Sequence, residues 1–403
     1  MTLADIQAAA DRIRPHVYRS PLHHSVQLSR LCNADIHCKL DHLQITGSFK
    51  ERGAVNKLLS LDAAQRRSGV ICASAGNHAL AVAYHGVRLG IPVTVCMPKW
   101  APLIKVKNCR AYGATIVFAG ETFVDAYDHA TRVSAETGQV FIPGFDDPAV
   151  VAGAGTAGLE ILAELPDVDA IIVPVGGGGL IAGIGVAAKA LKPSVRVIGV
   201  EPAHCPSLHE ALLAGHVVRV ASSPTLADGL AVAQVGKVPF DLIKTQRLVD
   251  HIELVSEPQI ALAILRLLEL EKTVVEGAGA ASLAAALHAE QLGLTGKKVA
   301  LVLCGGNIDM TVLNKIIDRG LAADGRLCRL TCRASDRPGS LARMTAVFAR
   351  TGASVVEVFH DRHFGPADVA NVAITAILET RDTDHIAEVL AALQADGFDV
   401  SPG

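Results

Sequence analysis

Aromatic residues are scarce in this chain, with one tryptophan, four tyrosines and ten phenylalanines among 403 residues. A base-stacking platform is therefore not expected. No basic run interleaved with aromatics occurs, and the net charge of -3 argues against a nucleic-acid surface. No apolar run is long and charge-free enough to suggest a membrane span. The opening residues, Met1-Thr2-Leu3-Ala4-Asp5-Ile6, carry an acid early and no basic segment ahead of an apolar core, so no signal peptide is expected. The nine cysteines are odd in number and never spaced C-x-x-C, so disulfides and structural zinc are not expected, and a reducing cytoplasm is the expected location.

What is abundant is apolar and small. Half of the residues are hydrophobic and 36 are glycine, in a chain long enough for one large or two to three ordinary domains. Short apolar runs alternate with helix-length segments: 69–73 then 77–89, 91–97 then 105–112, and 114–117. Residues 169–175, 195–200 and 298–303 repeat the pattern. Apolar runs bounded by glycine and separated by helices predict βαβ units and a parallel sheet, so the first three-quarters reads as a doubly wound α/β body. Residues 318–325 read as a linker. Beyond them, 326–334 alternates like an edge strand, 336–339 is a turn and 340–351 has helical spacing. Strands at 353–360 and 369–379, a helix at 384–394 and a short strand at 398–400 complete a βαββαβ, ferredoxin-like order. This tail has no catalytic constellation of its own, which leaves it as a dimerisation cap or a small-molecule sensor.

Four segments carry chemistry. In Thr46-Gly47-Ser48-Phe49-Lys50, the lysine stands where a polar loop enters a helix. The positive helix end and partial desolvation both favour its neutral, nucleophilic form, which an aldehyde cofactor requires. Gly176-Gly177-Gly178-Gly179 lies between a strand and a helix starting near Leu180, so its backbone N–H groups can converge on a phosphate. No Gly-Lys-Ser/Thr follows, so phosphate without nucleotide is the better reading. Ser74-Ala75-Gly76-Asn77-His78 fills the same slot of an earlier βα unit and could hold a carboxylate and a phenolic oxygen. Cys304-Gly305-Gly306-Asn307 fills a third, where a thiol could face a ring nitrogen.

With Glu276 and its neighbours, these segments resemble the fold-type II pyridoxal-phosphate enzymes, in particular the threonine/serine dehydratase branch that includes serine racemases. The resemblance covers residues 1–320 in order and spacing, and 326–403 is similar to an ACT domain. It implies two open twisted α/β subdomains, the smaller at about 51–147 inserted in the larger, followed by the ferredoxin-like βαββαβ ACT module. It implies pyridoxal 5'-phosphate as cofactor, held covalently by Lys50, which also removes the substrate Cα proton. Gly176, Gly177, Gly178 and Gly179 would bind the phosphate and Asn77 the ring hydroxyl. Phe49, Leu180, Glu276 and Cys304 would lie around the ring, with Cys304 at its nitrogen. Ser74, Ala75, Gly76, Asn77 and His78 would take the substrate carboxylate. A thiol is no anion and would not keep the ring nitrogen protonated, which favours β-elimination over transamination.

The expected reaction is therefore elimination from L-threonine, and secondarily L-serine, to a 2-oxo acid and ammonia, in a homodimer or homotetramer regulated by an amino acid. That effector is expected at residues 336–341, at an interface between ACT domains. A racemase or hydroxyaspartate lyase on the same scaffold, and a catalytically inactive amino-acid binder, are the alternatives. Several positions depart from the family. Leu80-Ala81 stands where the family usually has Gln-Gly. Ala75 replaces the serine that serves racemases as second-face acid, so efficient racemisation is expected to be lost. Pro224 replaces the acid that opens the racemases' divalent-metal segment, so no tight divalent site is expected there and Asp228 reads as a helix or turn cap.

Overall fold

A computed structural model of the chain describes residues 1–101, 103–361 and 371–402. The chain divides into two compact units, Met1–Ile308 and Asp309–Gly403. The first contains two sheets. The larger has six strands in the order Leu22–His24, Asp35–Lys39, Lys298–Val302, Ala170–Pro174, Arg196–Pro202 and His251–Val255. Only the outermost pair, Leu22–His24 with Asp35–Lys39, is antiparallel; the other neighbours are parallel. The smaller sheet is all parallel, in the order Thr115–Phe118, Val93–Met97, Val70–Ala73 and Val140–Phe141. Every residue of Val70–Ala73 and of Ala170–Pro174 is buried, which is why these strands read as continuous apolar runs rather than alternating ones.

Helix Pro148–Glu164 packs between helix Lys50–Leu59 and helix Gly179–Leu191. Asp147 caps it, accepting from the N–H groups of Ala149 and Val150, and Pro148 supplies a preset first turn. It packs backbone to backbone on both sides. A Cβ on Gly153 would stand 2.4 Å from the carbonyl of Arg52 in helix Lys50–Leu59. One on Gly183, in helix Gly179–Leu191, would stand 2.4 Å from that of Val151. Missing side chains thus set the spacing between the helix that begins at Lys50 and the helix behind the glycine run.

A buried ionic cluster fixes the same region. Arg52 grips Asp41 with Nε and Nη2, both at 2.8 Å, and Glu160 with Nη1 at 2.7 Å and Nη2 at 2.8 Å. Lys39 adds a 2.7 Å contact to Glu160. Burial alone would raise the Asp41 carboxyl, but the Arg52 guanidinium and its hydrogen bonds hold it below the usual range.

The second unit carries the order expected for the tail. Strand Leu327–Ser335 is followed by helix Ser340–Thr351, strands Ser354–Asp361 and Asn371–Glu379, helix Thr383–Ala395 and strand Asp399–Pro402. The first two residues of the strand expected at 369–379 lie outside the described residues. Two expectations are corrected. Leu327–Ser335 is not an edge strand, because Asn371–Glu379 and Asp399–Pro402 flank it. Its alternation reflects one face packed on a core of Met344, Val347, Phe348 and their neighbours. The linker read at 318–325 is mostly helix, Met310–Ala323, capped by the Asp309 side chain on Thr311 N–H. Its Gly-Ala-Asp composition suggested a loop, but the turn is confined to Asp324 and Gly325.

Candidate active site

Three of the singled-out segments sit at the carboxyl ends of parallel strands, where open α/β sheets place their ligands. Ser74 to His78 follows Val70–Ala73, the glycine run follows Ala170–Pro174, and Cys304 follows Lys298–Val302. Lys50 is brought to them by the loop ahead of its helix. The Phe49 N–H donates to Cys304 O at 2.9 Å, and Ser48 forms a bridge with Gly305. Lys50 opens helix Lys50–Leu59, as the sequence suggested.

The Lys50 amine donates to Gly144 O at 2.7 Å and lies 5.1 Å from the Phe49 ring centroid and 6.0 Å from that of Phe145. Burial lowers its pKa to about 8, against opposing contributions from Cys304 and Glu276. Burial also raises the Cys304 thiol well above its ordinary value, so it stays protonated near neutrality.

Asn77 is the hub of a relay. Its Nδ2 donates to Glu276 Oε1 at 2.7 Å, and its Oδ1 accepts from Asn307 Nδ2 at 2.8 Å. Asn307 Nδ2 also donates to Thr46 O at 2.8 Å. With its orientation fixed, Asn77 keeps a second N–H for a ligand oxygen. Glu276 is pushed up to about 7, first by burial and then by the Asp228 charge, with the Asn77 hydrogen bond pulling the other way. A Cβ on Gly305 would fall 2.2 Å from Glu276 Oε1, so glycine is needed for the carboxyl to reach Asn77.

His78 is buried and its Nε2 donates to Ile142 O at 2.9 Å, while burial and then Lys50 lower its pKa to about 4. The neutral ring therefore leaves Nδ1 as an acceptor, and that atom is buried without a partner, as are Thr46 Oγ1 and Ser48 Oγ. Ser74, Ala75 and Gly76 are half-buried at the same helix start, with Gly76 N–H donating to Ser74 Oγ at 3.1 Å.

In the glycine run, Gly178 has φ of 87°, in the left-handed region that admits glycine readily, and helix Gly179–Leu191 begins immediately after it. The ring of Phe145 occupies the space beside Gly177, where a Cβ would approach its carbons to 2.2 Å. Gly176, Gly179 and the buried Leu180 complete the turn. Free N–H groups of a first helical turn aimed along the dipole suit a phosphate dianion.

Residues 13–305 match the pyridoxal-phosphate dependent enzymes. The chain belongs to that family. It is 44% identical to the L-threonine ammonia-lyase of Thermotoga maritima over 400 residues, 99% of each chain. It is 46% identical to the L-threonine ammonia-lyase of Geobacter sulfurreducens over 393 residues, 98% of this chain and 97% of that one. Among solved structures it resembles the processed form of threonine deaminase isoform 2 from Solanum lycopersicum, with a TM-score of 0.74 and 38% identity, covering 78% of this chain and 86% of that chain.

Members of this family use pyridoxal phosphate, and the residues present suit it. A phosphate cradle, an amine of lowered pKa and a buried unpartnered acceptor converge on the Gly144–Phe145 segment, which touches Gly177, Lys50 and His78.

Two groups escaped the sequence reading. Gly144 and Phe145 follow the two-residue strand Val140–Phe141, too short to register as an apolar run; the Pro-Gly at 143–144 was the available signal. Asn307 was noticed only as the end of a motif. Asp228 is corrected: it opens the short 3-10 turn Asp228–Leu230 without a side-chain cap. Its exposed carboxylate pairs with Lys105 Nζ at 3.0 Å instead.

Proposed function

We propose that this protein is an L-threonine ammonia-lyase, eliminating water across Cα–Cβ of L-threonine, and less readily of L-serine, to give after hydrolysis a 2-oxo acid and ammonia. Near full-length identity of 44–46% to two enzymes of that name carries the reading. When bound, pyridoxal phosphate supplies the electron sink that acidifies the substrate Cα–H. Lys50 would anchor the cofactor and, in its neutral amine form, which burial makes accessible by lowering its pKa to about 8, take the Cα proton. Gly176 to Gly179 hold the phosphate, the second Asn77 N–H meets the ring hydroxyl, and Cys304 offers the ring nitrogen a neutral thiol. Phe49, Leu180 and Glu276 flank the ring, and the amides of Ser74 to His78 receive the substrate carboxylate.

Ala75 stands where the resemblance gives racemases a second acid, and a methyl group cannot donate a proton, so elimination is the favoured route. Residues 326–403 serve as an ACT-type sensor whose 336–341 turn binds an amino-acid effector between subunits of a dimer or tetramer. Its βαββαβ order supports that, as do Val355, Val356 and Phe359, exposed on the outer strand Ser354–Asp361.

The test is steady-state 2-oxo acid production from L-threonine and L-serine, with chiral analysis of residual serine. Wild type should prefer threonine and form no D-serine. Lys50→Ala should lower turnover by roughly 10³-fold or more. Undiminished turnover in that variant, or accumulating D-serine, would end the proposal.

A further inference from the structure

At the outer edge of the six-stranded sheet, away from the strand ends that carry the catalytic groups, strand Leu22–His24 runs antiparallel to Asp35–Lys39. His24 lies directly across from His37 in that register. Successive residues of a strand point to opposite faces, so Asp35 shares the face of His37 two positions on. The three side chains meet. His24 Nε2 lies 3.0 Å and His37 Nε2 3.2 Å from one and the same oxygen, Asp35 Oδ1. The imidazole rings have centroids 4.9 Å apart. We propose that His24, Asp35 and His37 form a binding site for a borderline divalent transition-metal ion, with Zn2+ the reference case.

Hydrogen bonding does not account for the cluster. His37 Nε2 is sealed from solvent and has no hydrogen-bond partner, because Asp35 Oδ1, though near, lies off the line of a ring N–H. A buried polar atom left in this way is costly, and a cation placed between the three atoms would satisfy it. The spacing suits one. Around a tetrahedral ion with bonds of about 2.0–2.1 Å, neighbouring ligand atoms stand roughly 3.3 Å apart. Two of the distances here are 3.0 and 3.2 Å, and no pair of ligand atoms is further apart than 4.8 Å. His24, whose side chain is 48% exposed, has the freedom to close the remaining gap, and water can take the fourth position.

The donor set selects the ion. Two imidazole nitrogens and one carboxylate oxygen suit Zn2+, Co2+, Ni2+ or Cu2+, whereas Ca2+ and Mg2+ require oxygen-rich shells. The natural competitor for Asp35 is Lys298, its neighbour in the parallel register, but that ammonium is engaged by Asp167. Among the described residues, no other trio of histidine, cysteine, aspartate or glutamate side chains converges in this way. Such an ion would clip the three-residue edge strand to its neighbour, stabilising the sheet margin and leaving the chemistry of the cleft alone.

The experiment uses the full-length, cofactor-loaded protein, treated with chelator and then titrated with ZnCl2 by calorimetry while its thermal midpoint is followed. Wild type should bind one more equivalent of Zn2+ than His24→Ala or His37→Gln, or bind it at least tenfold more tightly, and its midpoint should rise with ZnCl2 and not with MgCl2. Threonine turnover should be the same in all three proteins. His24 is half-exposed, so its variant keeps the test valid even if His37→Gln folds poorly. Equal stoichiometry and affinity in wild type and His24→Ala, or an equal response to Mg2+, would overturn the site.

Discussion

Lys50 is a lysine that its surroundings keep from being a permanent cation. With a pKa near 8 in place of 10.5, about a tenth of its amine is neutral at pH 7 and about nine-tenths at pH 9. Uptake of pyridoxal phosphate by cofactor-stripped protein should therefore accelerate about tenfold between pH 7 and 9 and then level off. An unshifted lysine would instead give a rise of roughly a hundredfold with no plateau in that range, which stopped-flow absorbance distinguishes. The sign matters for stability too. Between pH 8 and 10.5 the unfolded chain binds the extra proton, so this group makes the fold more stable as pH rises through that window.

Residues whose chemistry is local were legible before the fold was seen. Asn77, the four glycines and Cys304 mark themselves as positions at turns after apolar runs, and Lys50 as the point where a polar loop enters a helix. Phe145 and Gly144 do not, because their importance comes from a crossing of chain segments far apart in sequence.

At the scale of elements, the site depends on three helices whose separation is set by absent side chains and by one buried guanidinium. Arg52 stands two residues after Lys50 and ties that helix to Asp41 and Glu160. Replacing it with methionine would leave the fully buried Asp41 carboxylate without its cationic partner, while Glu160 would keep Lys39 alone. The expected cost is about 3–5 kcal/mol, read as a lower urea midpoint. A change below 1 kcal/mol would mean that the cluster relaxes or fills with water. In the first unit, periodicity and glycine boundaries revealed six strands and the helices at Asn77–Arg88, Leu103–Ala111 and Gly179–Leu191, but not Leu22–His24, Asp35–Lys39, Val140–Phe141, His251–Val255 or the long helices Pro148–Glu164 and Glu257–Glu271. Strand order was hidden, because hydrogen-bonded neighbours such as Asp35–Lys39 and Lys298–Val302 are more than 250 residues apart. Helix Met310–Ala323 was hidden for the opposite reason, since its glycine and aspartate mimic a loop whereas the Asp309 cap and the apolar contacts of Leu313 and Ile316 hold it helical.

Across the whole molecule, the division after Ile308 places every group around Lys50 in the first unit. Catalysis and regulation should therefore separate. A chain ending at Ala323 should retain threonine turnover within a few-fold and lose its response to added branched-chain amino acids, measured as initial rates over an effector series. An unchanged response in the shortened chain would remove the sensing role from the second unit. The βαββαβ order was legible as a pattern of alternation and helical spacing; what the turn at 336–341 binds is not written in any single motif.

The proposed reaction requires one covalent attachment point for the cofactor, at Lys50. Borohydride reduction of the cofactor-loaded enzyme, followed by proteolysis and mass mapping, should yield a single pyridoxyl-labelled peptide carrying the tag on Lys50. A label on any other lysine, or none in fully loaded protein, would contradict the assignment of that residue and of the site built around it.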